Sequence, residues 1–392
     1  MITYQIVQSN DYKKVLKLKN YCFRPAYEGK RLEDFMHWVN VSTIQGAFDQ
    51  EELVSQLIIL PLQMTVFGVP YDMGGIGFVS TYPEYRNAGI MKQVLLRSLE
   101  TMRERGQLLS VLSPFSVSFY RHFGWELFFD KVQYELPAQQ LVPSGKTIGN
   151  IHRIDELNPD FDHWFSKIKT FYNEQIAIQN GRLIREDDWW QRLLRRTSGT
   201  SFAVYTDELG KVMGYIRYTI QNLTLELLDF NAINYESQQN LWQFIQSHTA
   251  EVEKIIGEAS NQESFGTAFL NPQFQQQIVQ DKMIRIIDVE RFLYSYPFEK
   301  IDDPLYLNVQ DKQAEWNNQI FKIEQEGQVT IVKTPKNEEM LTMDIGKLSA
   351  LMVGYHSLDY YVFRKEASGS DKTINQWSNA LPKGYPSFYD YF

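Results

Sequence analysis

Apolar and polar positions switch repeatedly between a two-residue and a 3.6-residue period along this chain. Leu53 to Leu62 is a strongly apolar stretch, and Gln63 to Val69 reads as a second strand. Tyr71-Asp72-Met73-Gly74-Gly75 carries turn residues, and Ile76 to Thr81 is a short β-rich run that Pro83 ends. From Ala88 to Arg105 the apolar residues fall at Ile90, Met91, Val94, Leu95, Leu99 and Met102. That spacing predicts a helix, which Gly106 stops. Leu108 to Leu112 is the next strand. Strand, helix and strand at this length predict a parallel pair with a crossover helix.

The pattern breaks over residues 137–150, where Pro, Gly and Gln interrupt it. Beyond the break the logic repeats. Phe202 to Tyr205 and Lys211 to Ile220 read as strands around a turn, Leu223 to Phe230 as another, and Gln238 to Val252 as a helix with Leu241, Trp242, Phe244 and Ile245 on its apolar side. A second break at Pro297 to Pro304 precedes strands near Gln319 to Glu324 and Gln328 to Thr334, then an apolar helix from Ile345 to Met352. The fold class is α/β (α+β), with domains expected at 1–140, 150–296 and 297–392.

The length of 392 residues agrees with that division, since one core serves about 100–200 residues. With 43% hydrophobic and 22% charged residues the chain is expected to fold rather than stay disordered. It has no apolar run of the ~18 residues a membrane span needs, and its first residues lack a signal-peptide pattern. The single cysteine, Cys22, excludes an intrachain disulfide and makes a reducing cytoplasm the simplest location. A net charge of −9 disfavours non-specific nucleic-acid binding and suits a cationic substrate such as a polyamine or aminoglycoside. The six histidines are scattered, with no metal-ligand spacing, so no metal is expected.

Chemistry concentrates in Gly77-Phe78-Val79-Ser80-Thr81-Tyr82-Pro83-Glu84-Tyr85-Arg86-Asn87-Ala88-Gly89-Ile90-Met91. A buried strand runs through a tight turn into a helix. The first turn of a helix has backbone N–H groups without internal partners and a positive potential, where a pyrophosphate can sit. Gly89 lets a ligand approach the backbone, and Arg86 offers a charge to phosphate. Strand, proline, Arg-x-x-Gly and amphipathic helix in that order resemble the GNAT superfamily of acyl-CoA-dependent acetyltransferases. That family's pyrophosphate loop, Arg/Gln-x-x-Gly-x-Gly/Ala, reads here Arg86-Asn87-Ala88-Gly89-Ile90-Met91, with Met91 in place of the last small residue. The resemblance implies acetyl-CoA as cosubstrate, contacted by Phe78, Val79 and Thr81, by Arg86 to Met91, and by Ser116. Backbone N–H at Val79 would face the developing oxyanion.

Phe119-Tyr120-Arg121-His122-Phe123-Gly124-Trp125 resembles the family's Phe-Tyr-x-x-Phe-Gly-Tyr/Trp signature. By that likeness Tyr120 protonates the departing thiolate; the plainer reading is a packed aromatic with a satisfied hydroxyl. His122 is read as a solvated or structural histidine and Cys22 as a buried thiol.

Asp187-Asp188-Trp189-Trp190, Leu241-Trp242, Met283 to Val289 and Leu348 to Gly354 extend the likeness along the chain. The order is similar to the Eis (enhanced intracellular survival) family: tandem GNAT domains, then a sterol-carrier-like domain. The second unit has no Arg-x-x-Gly before its helix, and a cofactor there would meet Asp229 and Glu236, so one cofactor per chain is expected. The resemblance makes the terminal carboxylate of Phe392 the general base, against the plainer reading of an aromatic tail docked on the surface. It implies a homo-oligomer, a hexamer. Members from mycobacteria carry a glutamate before the terminal phenylalanine, where this chain has Tyr391. Glu28, Asp34 and Trp38 are the candidates for the amine pocket. Direct acetyl transfer to a primary amine is the expected function; the alternative is an acyl-CoA-linked binding or sensor protein with an apolar-ligand-carrying third domain.

Overall fold

The computed structural model describes residues 1–141, 149–197, 199–262, 273–333 and 340–392. In chain order the elements are β1 (Ile2–Ile6), α1 (Tyr12–Cys22), α2 (Gly29–Val41), β2 (Thr43–Asp49), β3 (Glu52–Val66), β4 (Val69–Thr81), α3 (Ile90–Glu104), β5 (Leu109–Leu112), α4 (Val117–His122) and β6 (Glu126–Pro137). Then come β7 (Asn150–Asp155), α5 (Phe161–Ile176), β8 (Leu183–Ile184), α6 (Asp187–Arg196), β9 (Ser201–Thr206), β10 (Val212–Gln221), β11 (Thr224–Ala232), α7 (Tyr235–Gln246), β12 (Lys254–Ser260) and β13 (Gln275–Ile286). The chain closes with α8 (Val289–Tyr294), β14 (Leu305–Gln310), β15 (Ile320–Ile323), β16 (Val329–Val332), β17 (Leu341–Asp344), α9 (Ile345–Met352), α10 (Leu358–Phe363), β18 (Ala367–Ser368) and α11 (Asp371–Ala380). Of the 137–150 break, residues 142–148 lie outside the described residues, as does the last residue of the strand expected to reach 334.

Two compact units are present: Met1–Phe129 with Gln179–Ile184 and Asp281–Phe392, and Asp130–Ile178 with Arg185–Gln280. In the first, strands run in the order β1-β2-β3-β4-β5-β13, with β8 against β3. Neighbours are antiparallel except β4 and β5, the pair joined by the α3 crossover. Helix α3 buries Val94, Leu95, Leu99 and Met102, the face the periodicity predicts, each worth roughly 1.5–3 kcal/mol. A second sheet in this unit, β16-β15-β14-β17-β18, carries α9 and α11, with Trp377 fully buried. The second unit orders its strands β6-β12-β11-β10-β9-β7, and its core gathers Tyr205, Ile216, Leu241, Trp242 and Ile245. Among the described residues no helix is long and apolar enough to cross a membrane.

Three expectations are corrected. The turn expected at Tyr71 to Gly75 is strand interior: β4 runs unbroken from Val69 to Thr81, paired with β3 from Val66↔Val69 onward. The turn stands at Phe67-Gly68, both left-handed (φ 47° and 83°), as a tight hairpin requires. For the same reason Gln63 to Val69 is no separate strand; β3 continues from Glu52 to Val66. The helix expected to reach Val252 stops at Gln246. Ser247 Oγ bonds the Phe244 carbonyl at 2.7 Å, and such side-chain bonds compete with the helix at Ser and Thr. The helix expected over Ile345 to Met352 is α9, with those same ends.

Candidate functional site

The site begins where β4 loses one of its neighbours. Met73↔Leu109 to Ile76↔Leu112 pair β4 with β5, and β5 then ends. On its other side β4 stays paired with β3 as far as Ser55↔Thr81. Gly77 to Thr81 therefore present a strand edge with no β5 partner. Within that stretch the register slips: Gly77 stands opposite Ile58 and Ser80 opposite Gln56, so Phe78 and Val79 share one position. Phe78 is left-handed (φ 52°), the mark of a bulge. Its ring turns onto Phe35 of α2 (4.9 Å), Phe23 (5.8 Å) and Tyr27 (6.3 Å), all edge-on. The fully buried Lys19 sets its ammonium over the Tyr27 ring at 2.9 Å. Phe23, Tyr27 and Phe35 were not expected at the site; no local sequence signal marks them.

Past Thr81 the chain makes a short turn at Pro83–Tyr85 and reaches α3 through two left-handed residues, Asn87 (φ 62°) and Gly89 (φ 73°). Gly89 is the N-cap of α3. No side chain caps that end and no acidic residue lies in the first turn, so the first N–H groups of α3 point out unsatisfied. Residues 86–89 are exposed, and a β-carbon placed on Gly89 would meet nothing within 4 Å. A pyrophosphate fits this end: open space, free N–H donors and the positive pole of a 15-residue helix. Arg86 is folded back, its Nε donating to the Thr81 carbonyl at 3.2 Å; Cys22 Sγ reaches the same oxygen at 3.7 Å. Burial pushes the half-buried Cys22 thiol up, with Arg86 pulling the other way, so it is no activated nucleophile.

Tyr120 lies on α4 and is 2% exposed. Phe115 (5.3 Å), Phe119 (5.2 Å) and Trp125 (6.2 Å) surround its ring. Burial pushes the phenol well above its ordinary value, and among the described residues its hydroxyl makes no hydrogen bond. It therefore holds its proton at any physiological pH. Ser116, expected to contact cofactor, is the N-cap of α4, its Oγ accepting from Phe119 N–H at 3.3 Å. Behind α4, Gly124 is left-handed (φ 82°), and a β-carbon there would fall 1.7 Å from Arg285 Nη1. Arg285 donates to the Phe123 carbonyl (2.8 Å) and to Asp311 (2.6 Å) in a fully buried pair. That packing is what the Phe-Gly-Trp sequence serves. Trp125 Nε1 reaches Ser110 Oγ (3.3 Å), and Ser110 Oγ the Gly74 carbonyl (3.0 Å), tying the Tyr120 turn to β4. His122 is exposed: its carbonyl accepts from Gln313 Nε2 and its ring packs edge-on against Phe123 at 5.1 Å.

Phe392 comes to β4. Its ring lies over Gly75, and a β-carbon on Gly77 would stand 3.9 Å from both its terminal carbon and its oxygen. The main-chain carbon and oxygen of Phe392 thus lie one residue before the bulge at Phe78. Of the amine-pocket candidates, Glu28 is exposed at the start of α2, while Asp34 and Trp38 are on the buried face of that helix, at 3% and 5% exposure. Phe35 of the same helix is the residue that reaches the bulge ring.

The second unit repeats the geometry without the anion site. β11 and β12 pair in parallel only over Thr224–Glu226 and Lys254–Ile256. The opening beyond is a cleft of ≈ 420 Å³ lined by Glu135, Glu226 and Glu258, the first and last paired with Lys254 (3.1 Å) and Lys131 (2.9 Å), and among the described residues no lysine or arginine lines it to meet a phosphate. The following helix, α7, is closed by a capping box between Asn234 and Ser237. Asp229 is clamped by Arg185 (2.8 Å) and Arg217 (2.8 Å), and Glu236 accepts from the Tyr205 hydroxyl.

Comparison with known proteins agrees with these geometries. Residues 3–128 and residues 181–286 each match an acetyltransferase (GNAT) domain family, and residues 289–389 match a sterol carrier protein domain family. An uncharacterized N-acetyltransferase of Streptomyces avermitilis is 24% identical over 207 residues, 50% of this chain and 48% of that protein, so the match spans about half of that curated relative. A conserved protein of unknown function from Enterococcus faecalis, described as a probable N-acyltransferase, is similar over 100% of both chains with a TM-score of 0.93 and 28% identity. Eis1 of Mycobacterium abscessus shares the fold over 100% of both chains, with a TM-score of 0.79 and 18% identity.

Proposed function

We propose that this chain, which is built of two GNAT domains and a sterol-carrier-type domain, is an acetyl-CoA-dependent N-acetyltransferase acting on a primary amine by direct transfer. The observation that carries it is the unpaired edge of β4 at Gly77 to Thr81 running into the uncapped end of α3, with the main chain of Phe392 beside it. Such an edge takes an amide-bearing arm as an added strand, and such a helix end takes its phosphates. Acetyl-CoA supplies an acetyl group as a thioester.

The chain's residues then divide the work. The backbone of the bulge at Phe78-Val79 orients the carbonyl and offers N–H to the oxygen as it gains charge. The Phe392 carboxylate, directly or through water, takes the proton that the amine nitrogen sheds as its bond to the acetyl carbon forms. Tyr120 gives its proton to the sulfur as the carbon–sulfur bond breaks. The net −9 charge favours approach of a cationic acceptor, a polyamine, aminoglycoside or lysine side chain. On the amine side stand Asp34 and Trp38 of α2 and Glu28, the residue that precedes it. By its resemblance to the Eis family the protein is a cytoplasmic homo-oligomer, a hexamer, and light scattering tests the hexamer.

The function is tested by thiol release from acetyl-CoA across a panel of amines, with the native chain and a ligated chain ending in a carboxamide. Amine-dependent release by the acid form and its loss in the amide, across pH 6 to 9, is the expected result. Equal turnover of acid and amide rules the carboxylate out. Thermal stabilisation by acetyl-CoA with no amine-dependent release leaves a binding protein.

A further inference from the structure

Three of the four residues from Gly74 to Gly77 in β4 are glycine, a costly choice for a central strand at roughly 0.5–1 kcal/mol each against alanine. None of the three has positive φ, so backbone conformation does not call for them. Close approach does. A β-carbon on Gly74 would fall 2.3 Å from Met102 Sδ of α3, on one face of the sheet. On the other face, a β-carbon on Gly75 would fall 3.0 Å and 3.1 Å from Cε2 and Cζ of Phe392 and 2.8 Å from Leu62 Cδ1. Two residues on, over Gly77, lies the terminal carbon of the same Phe392.

The rest of the tail is closely packed as well, here against two glycines that are also left-handed, Gly181 (φ 75°) and Gly354 (φ 74°). No helix or strand follows Ala380. A β-carbon on Gly354 would fall 2.2 Å from the Gly384 carbonyl oxygen, and one on Gly181 would fall 2.7 Å from Pro386 Cβ. Ser387 N–H donates to the Asn180 carbonyl at 3.0 Å, and Asn180 in turn bonds the Val353 carbonyl at 2.8 Å. Phe388 is fully buried between Phe128 (5.9 Å) and Phe392 (6.3 Å). Missing side chains at Gly354, Gly181 and Gly75 leave room for the tail along its path, and Phe392 is its last step.

We infer that Gly75 is a positioning residue: its empty face seats the ring of Phe392, and the seated ring fixes the terminal carboxylate over Gly77. The inference rests on the proposed role of that carboxylate. The ring is an anchor and the main-chain end is the working group. A methyl group on Gly75 displaces Leu62 Cδ1, the far end of a flexible side chain, and pushes the Phe392 ring by some tenths of an ångström, moving the carboxylate with it; misplacement of a reacting group by about 1 Å can cost ~10²-fold in rate.

The test is a cycle of four full-length proteins: native, Gly75→Ala, Phe392→Leu, and the double variant. Leucine lacks the two ring atoms nearest Gly75. Gly75→Ala should lower kcat about tenfold or more with the Kd for acetyl-CoA unchanged. The double variant should then turn over faster than Gly75→Ala alone, because the shorter side chain vacates the contact. A merely structural glycine predicts the opposite, two losses that multiply. Native kcat in Gly75→Ala, or a double variant no faster than the single, overturns the seat. Should Gly75→Ala not fold, Phe392→Leu alone must lower kcat at unchanged acetyl-CoA affinity, and native kcat there overturns it. The carboxamide chain separates the two ideas. A fully active amide with a slow Gly75→Ala that leucine rescues keeps the seat and removes the base; an inactive amide with a native-rate Gly75→Ala keeps the base and removes the seat.

Discussion

Replacing Tyr120 by phenylalanine removes one oxygen atom from a ring that is 2% exposed and held by Phe115, Phe119 and Trp125. Among the described residues the hydroxyl has no hydrogen bond to lose, so stability should change by less than about 1 kcal/mol. Turnover should change far more. A general acid contributes roughly 10²–10⁴-fold, which is about 2.7–5.4 kcal/mol of barrier. The pH behaviour follows from the direction of the shift. Burial raises the phenol above its ordinary value near 10, so Tyr120 stays protonated over pH 6 to 10. The favourable linkage is then fully present below about pH 10 and is lost only as pH climbs through the raised value. Any fall in rate below pH 10 must belong to another group. The assay is single-turnover thiol release with saturating amine, beside calorimetric measurement of acetyl-CoA binding. Wild-type single-turnover rates in Tyr120→Phe would refute the reasoning, as would a loss wholly explained by weaker acetyl-CoA binding.

Gly89→Glu should leave the fold standing, since no atom lies within 4 Å of its β-carbon, at about 1–2 kcal/mol for a left-handed side chain. Its carboxylate should abolish the stabilisation by acetyl-CoA, about 2.7 kcal/mol at a hundredfold excess over Kd; an undiminished shift in melting temperature removes the cofactor assignment. Asp229→Asn should destabilise the second unit by about 3–5 kcal/mol at pH 7, because Arg185 and Arg217 are left facing an uncharged amide. Burial opposes ionisation of Asp229, but the two guanidiniums outweigh it and hold the carboxyl well below its usual range. Its contribution is therefore present above about pH 3.9 and lost as pH falls through the lowered value, so urea titrations should show the variant's deficit narrowing below pH 4. A deficit that does not change with pH contradicts this account.

What the chain's own pattern determined is what depends on neighbours within a turn or two. The apolar spacing of Ile90 to Met102 fixes the buried face of α3, and Ile345 to Met352 is a helix with the ends its composition marks. Gly89 before an amphipathic run is an open helix start in sequence and in structure. The absence of Arg-x-x-Gly before α7 likewise corresponds to an N-terminus closed by Asn234 and Ser237. Tertiary structure decided the rest. Gly74 and Gly75 look like a turn because glycine most often serves φ, whereas here they serve space: one for Met102, the other for a ring at the far end of the chain. Ser116 is drawn into capping α4, and Asp34 and Trp38 into the buried face of α2. Phe35 is brought to the bulge by packing that no short-range pattern encodes. The discontinuous first unit, assembled from Met1–Phe129, Gln179–Ile184 and Asp281–Phe392, has the same origin. Helix and strand propensities act over a few residues, while the burial of Phe388 and the seating of Phe392 are contacts between distant segments, and they exist only once the sheet beneath them has formed.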